Sequence, residues 1–202
     1  MARIPYVTDD DLPEAARELL GSYHSMEREF VPHIADPSPE YLASRRDRRP
    51  NVYGALGNNP GVLAVFREMA SGIRGSCGLS EYRRELVILT VARSVRADYE
   101  WHQHVPIALA GDVTEAEIRA ISAGRTDAFA DPEAALVAYA GRVAAGAVTD
   151  ADHTALAEHF DAERIVGTNM LAGFYLGLAR MLDALGVEPE ESFVGWELEN
   201  LS

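Results

Sequence analysis

Lysine is missing from this chain: all 18 cationic side chains are arginine, and 32 acidic residues leave a net charge of −14. No basic excess exists to hold a polyanion, which excludes nucleic acid as a partner. A single cysteine, Cys77, excludes an internal disulfide framework and any Cys-x-x-Cys redox pair. No apolar run approaches the ~18 to 20 residues of a membrane helix, so neither a bilayer span nor a membrane partner is expected. The opening Met1-Ala2-Arg3-Ile4-Pro5 lacks the apolar stretch of a secretory signal, and the expected location is the cytoplasm. The acidic, lysine-free, alanine-rich composition suits either a high-salt cytoplasm or a GC-rich genome. What remains is the balance of a globular protein: of 202 residues, 48% are hydrophobic and 25% charged, enough to bury one core.

The hydrophobic periodicity is helical almost throughout. Asn59-Pro60 reads as an N-cap followed by proline at the first helical position, with Val62, Leu63, Val65, Phe66 and Met69 behind it. Ser80 precedes a helix from Glu81 to Val95, and Asp98 is placed to cap another running from Tyr99 to about Ala110. Thr114-x-x-Glu117 is a capping box, Asp131-Pro132-Glu133 opens a further helix, and Thr149 or Asp150 starts a short one through Phe160. The last runs from about Asp161 to Leu185 and stops at Gly186. The run Leu86-Val87-Ile88-Leu89-Thr90-Val91 also fits a buried strand, but no second run of that type exists to pair with it, so helix is preferred.

An N-terminal helix over about residues 12 to 30 is followed by a proline-containing arm, residues 31–50, that carries Arg45, Arg46, Arg48 and Arg49. Gly54-x-x-Gly57 reads as a bend, and the acidic tail of residues 187–202 as irregular. The expected architecture is a single all-α domain over residues 1–202: helix and arm to 49, a core over about 50–125, helices over 126–186, then the tail.

The densest group of reactive side chains is Asp98-Tyr99-Glu100-Trp101-His102-Gln103-His104. Residues four apart lie ~40° from one another around a helix, so Glu100 and His104 share a face, while His102 points ~160° away. A carboxylate beside an imidazole is the minimal kit for proton transfer near neutral pH. The bland alternative is a solvated surface pair. Trp101 argues that this turn is at least partly buried. Metal binding is not expected: Glu-x-x-His pairs and His-Glu-x-x-His are absent, and His24, His33, His153 or His159 would have to be recruited from elsewhere. A phosphate-cradling glycine loop and a serine nucleophile elbow are also missing. Cys77, in Gly75-Ser76-Cys77-Gly78, reads as a small residue in a turn.

Taken together, Arg49-Pro50-Asn51-Val52-Tyr53, Asn59-Pro60, Leu79-Ser80 with Arg84-Glu85-Leu86-Val87-Ile88-Leu89, and Tyr99-Glu100-Trp101-x-x-His104 resemble the carboxymuconolactone decarboxylase family. That family shares the all-α fold of alkylhydroperoxidase D. The resemblance is close over about residues 50–125 and looser through Gly173-Phe174-Tyr175 to the end of the final helix. In the peroxidase branch of the superfamily a glutamate, a Cys-x-x-Cys pair and a histidine form a relay. Laid on this chain, the glutamate falls at Glu85, the two cysteines at Ala97 and Glu100, and the histidine at His104. Both thiols are absent, so thiol peroxidase chemistry of the antioxidant type is disfavoured.

What the resemblance implies instead is an acid–base site: Glu85, Glu100 and His104 as catalytic residues, with His102, Tyr99 and Trp101 as secondary candidates. The expected activity is that of a lyase or decarboxylase on a lactone or carboxylated small molecule, as in aromatic catabolism, with no cofactor and no metal. Arg45, Arg46, Arg48 or Arg49 would bind a substrate carboxylate. The resemblance also implies a homo-oligomer (dimer, trimer or hexamer). A catalytically silent ligand-binding protein is the remaining alternative.

Overall fold

The computed structural model describes residues 1–14, 17, 50–190 and 192–200. Among them are eight α-helices and no strand: α1 Asn51–Leu56, α2 Pro60–Ser76, α3 Glu81–Val95, α4 Asp98–Ala110, α5 Glu115–Ala123, α6 Asp131–Ala145, α7 Asp150–Ala157 and α8 Ala162–Leu185. The all-α expectation holds. The run that also fitted a strand lies inside α3, where Leu86, Val87, Ile88, Leu89, Val91 and Ala92 are all fully buried. A helix covered on every side has no polar face to betray its period. Helices α4, α5, α6 and α8 all pack on α3 and supply that cover. At about 1.5–3 kcal/mol for each large apolar side chain, this burial makes α3 the axis of the fold.

Local chemistry sets most of the helix starts. Asn59 accepts the Val62 N–H, Ser80 the Arg83 N–H and Asp161 the Arg164 N–H, and Thr114 and Thr149 each form a complete capping box. Two starts differ from expectation. Asp98 is the first residue of α4 rather than its cap; the cap position is Ala97, whose methyl group accepts no hydrogen bond. Gly54 to Gly57, expected as a bend, form the end and C-cap of α1, a six-residue helix whose N-cap, Pro50, makes no side-chain hydrogen bond. It is held instead by tertiary bonds, from Val52 N–H to the Tyr99 hydroxyl and from Asn51 N–H to Glu190. The expected helix over residues 12 to 30 and the arm after it lie outside the described residues, apart from Leu12 to Glu14, Arg17 and Pro50.

The connection between α3 and α4 is only two residues long. Arg96 takes the left-handed conformation (φ 56°), and its guanidinium lies 4.2 Å from the centre of the Trp196 ring. This tight turn folds α4 back along α3, so the Glu85 and His104 faces meet. Helix α8 crosses the end of α2 so closely that a Cβ on Gly167 would lie 2.0 Å from the Cys77 carbonyl oxygen. By length and mean hydropathy (1.3) α8 could also cross a membrane, which the apolar-run count had not anticipated. Here it serves as a packing helix against α2, α3 and α6.

The tail after Gly186 is irregular, as expected, but it is tightly bound. It runs along α4, where Glu190 accepts from Tyr99 (2.8 Å) and Gln103 (2.5 Å). Further on, Trp101 Nε1 donates to the Gly195 carbonyl at 3.0 Å, and the Trp196 ring packs tilted against Trp101 with ring centres 4.8 Å apart.

Candidate active site

The functional side chains come from four helices. Glu85 stands in the middle of α3, fully buried among aliphatic residues where a lone carboxylate would be very costly. Three partners compensate it. His104 Nδ1 lies 2.7 Å from Glu85 Oε2, and Arg74 Nη2, from α2, lies 3.5 Å from Oε1. Arg84, one residue before Glu85, bonds the carbonyls of Arg74 and Leu79 and adds positive charge nearby. Burial pushes the Glu85 carboxyl up, but the charge and hydrogen bond of His104, with Arg74 and Arg84, outweigh it and hold the group below the usual carboxylate range. Glu85 is therefore the ionised anchor of the cluster, and it fixes the imidazole so that Nδ1 carries a proton and Nε2 faces away.

Tyr175 of α8 closes the group. Its hydroxyl accepts from Arg74 Nη1 at 3.2 Å, and its ring meets the His104 ring edge-on, with centroids 5.0 Å apart. The four residues thus form a loop, Glu85 to His104 to Tyr175 to Arg74 and back. Burial, only partly opposed by Arg74, pushes the Tyr175 phenol up to about 12, so it remains a neutral O–H across the physiological range. Burial also opposes the charge on Arg74, but Tyr175, Glu85 and Glu81 outweigh it and keep the guanidinium cationic.

Glu100 occupies the same face of α4 one turn before His104. Only 2% of it is exposed, and neither carboxyl oxygen has a hydrogen-bond partner. Burial alone pushes its pKa well above the usual carboxylate range. The two glutamates are therefore set apart by their surroundings, Glu85 ionised and Glu100 neutral, which is the separation acid–base catalysis needs. An unpartnered buried carboxyl costs on the order of 1–3 kcal/mol, a cost that packing alone does not explain.

The remaining sequence candidates face elsewhere. His102 Nδ1 accepts the Val194 N–H at 3.1 Å, Trp101 bonds the Gly195 carbonyl, and Tyr99 links α1 to Glu190. All three fasten the tail and α1 to α4, on other faces than the Glu100–His104 face. Arg45, Arg46, Arg48 and Arg49 lie outside the described residues. Arg74 and Tyr175 were not among the site residues read from sequence. A charged residue on the buried stripe of α2, beside Leu63, Ala70 and Ile73, and a tyrosine on the stripe Leu171, Tyr175, Ala179 and Leu182 of α8 are the signals that point to them. Among the described residues no group of three or more His, Cys, Asp or Glu is arranged to hold a metal. Cys77 is buried at the end of α2, its thiol 3.6 Å from the Arg74 carbonyl.

Residues 60–142 match the family described as carboxymuconolactone decarboxylase family. Among curated proteins none matches the chain by sequence. Three solved structures share the fold along nearly the whole chain. A peroxidase-related protein with an alkylhydroperoxidase AhpD core, from Ralstonia eutropha JMP134, is 18% identical (TM-score 0.71), with 97% of this chain and 96% of that one covered. The debrominase Bmp8, in complex with 2,3,4-tribromopyrrole, is 16% identical (TM-score 0.74), with 98% and 95% covered. A peroxidase-related protein from Silicibacter sp. TM1040 is 19% identical (TM-score 0.73), with 96% and 94% covered. At these identities the likeness is one of fold.

Proposed function

We propose that this chain, whose residues 60–142 match the carboxymuconolactone decarboxylase family and whose fold is of the alkylhydroperoxidase D type, is a small-molecule enzyme working by proton transfer: a decarboxylase or related lyase acting on a lactone or other carboxylated substrate. The observation that carries this reading is the buried 2.7 Å contact between Glu85 and His104. It is a base–orienter pair, with Glu85 in the place of the third group that fixes an imidazole for chemistry at its other nitrogen.

In the reaction, the bond from the α-carbon to the carboxylate breaks and carbon dioxide leaves. The electron pair stays on the α-carbon and spreads onto the neighbouring carbonyl oxygen. His104, with Nδ1–H held by Glu85, delivers the proton on Nε2 to that carbon, and a solvent proton then restores the imidazolium. Glu85 stabilises the imidazolium without taking its proton. Net, one carboxylate and one proton become carbon dioxide and a new C–H bond.

Cytoplasmic location and self-association belong to the same reading. The apolar side chains Val62, Val65 and Met69 on α2, and Val166 and Met170 on α8, are exposed, and a second copy of the chain would cover them. The peroxidase-type alternative is disfavoured, since the positions of its two thiols hold Ala97 and Glu100 and the one cysteine is buried.

The test is release of carbon dioxide from a panel of carboxylated lactones and β-keto acids. His104→Gln should remove turnover while the protein keeps its helical circular dichroism. A wild-type protein inert on the whole panel would favour a silent ligand-binding protein, and a His104→Gln variant that turns over normally would remove His104 from the chemistry.

A further inference from the structure

The loop of Glu85, His104, Tyr175 and Arg74 leaves hydrogen-bonding capacity open on the side that faces Glu100. Arg74 donates to the Tyr175 oxygen, which leaves the tyrosine's own O–H without an acceptor among the described residues. Both oxygens of Glu100 lack a partner as well. Nε2 of His104 has none, its ring being tied through Nδ1 alone. Glu100 and His104 share one face of α4, the His104 ring touches Tyr175, and Glu100 lies within electrostatic reach of the Tyr175 hydroxyl. Two buried groups with unused hydrogen-bonding capacity, the Tyr175 O–H and the Glu100 carboxyl, therefore lie near the His104 ring. Buried polar groups in a native protein are normally bonded, so this coincidence points to something that bonds them from outside the chain.

We infer that the Tyr175 hydroxyl and the Glu100 carboxyl together receive the carbonyl oxygen of the substrate, as paired O–H donors flanking the carbon to which His104 delivers its proton. This rests on the proton-transfer reading above and narrows its substrate class to enolisable compounds, β-keto acids or lactones carboxylated beside the carbonyl. When the carboxylate leaves, the negative charge gathers on that oxygen. Neutral donors fixed in a dry site stabilise it without having to reorganise, and they pass on no proton themselves. A tyrosine beside a carboxylic acid kept neutral by an apolar site is a combination suited to holding an enolate oxygen. Arg74 is then a positioning residue: bonded to the Tyr175 oxygen, it turns the O–H away from itself and toward Glu100 and His104.

Phenolates mimic an enolate oxygen and need no turnover, so the test is binding of 4-nitrophenolate to the full-length protein, followed by its absorption band. Wild type should bind it and shift the band. Tyr175→Phe and Glu100→Met should each weaken binding at least about tenfold, the loss expected for one hydrogen bond to a charged oxygen, while Glu100→Gln, which keeps an N–H donor, should stay within about threefold of wild type. No binding to wild type, or wild-type affinity in either weakening variant, overturns the inference. If Tyr175→Phe does not fold, the contrast between Glu100→Met and Glu100→Gln decides it alone. Phenolate binding without carbon dioxide release would sink the proposed reaction and leave the oxygen cradle standing. Carbon dioxide release at the wild-type rate in Tyr175→Phe would do the reverse.

Discussion

Glu85→Gln separates the structural and chemical duties of the buried carboxylate. The amide has the same shape, so the void left is negligible, but the charge facing Arg74 and Arg84 disappears. Breaking a buried ion pair by removing one partner costs about 3–5 kcal/mol, and because the amide oxygen still accepts from Arg74 the lower end, about 3 kcal/mol, is expected. For a chain of this size that lowers the melting temperature by roughly 6–12 °C. The loss depends on pH. The stabilisation by ionised Glu85 is fully present above its ordinary value of 4.5 and fades as pH falls through its lowered value, so the two proteins should converge in strong acid.

Chemically, the amide offers its N–H₂ to Nδ1 of His104 and forces the other tautomer, with the proton on Nε2. Nε2 then has no lone pair with which to recover a proton, and turnover should fall by about 10²–10⁴-fold. Nitrogen-15 NMR of the His104 ring reads the tautomer, and thermal melting reads the stability. A variant with the wild-type tautomer, or one melting within about 2 °C of wild type, less than the shift for a single kcal/mol, would refute the reasoning.

Glu100 titrates in the opposite sense. Its raised pKa means that stability is intact below 4.5 and declines as pH rises through the folded-state value, so Glu100→Gln should melt with wild type in acid and increasingly above it toward neutral and alkaline pH. A constant difference across pH in melting curves would contradict the neutral, buried carboxyl. Gly167→Ala places a methyl 2.0 Å from the Cys77 carbonyl oxygen, which is backbone and cannot swing aside, so the α2–α8 crossing must open at a cost of about 1–3 kcal/mol. Chemical denaturation measures that loss, and wild-type stability would mean that the helices do not approach so closely.

Much of this architecture is legible in the sequence because helix starts are local. Asn59, Ser80, Thr114, Thr149 and Asp161 each cap the helix they were expected to start, since a side-chain oxygen two or three residues ahead of an N–H needs no tertiary context. α1 escaped for the same reason: without a side-chain cap, it forms because Tyr99 and Glu190, distant in sequence, bond its first N–H groups. Within the candidate site, Glu85 and His104 stand out through the family resemblance, and the shared face of Glu100 and His104 through helical spacing. Arg74 and Tyr175 arrive on α2 and α8, brought in by helix crossings that no short segment encodes. That Glu85 is ionised and Glu100 neutral was equally hidden, because it depends on which of the two finds Arg74 and His104 within reach.

The central claim is that His104, oriented by Glu85, delivers a proton to carbon. Incorporation of deuterium from D₂O into the decarboxylated product, followed by NMR, tests it most directly. One deuteron per turnover at the carbon that lost carbon dioxide, and none formed with His104→Gln, is the predicted result; turnover and labelling undiminished in His104→Gln would contradict it.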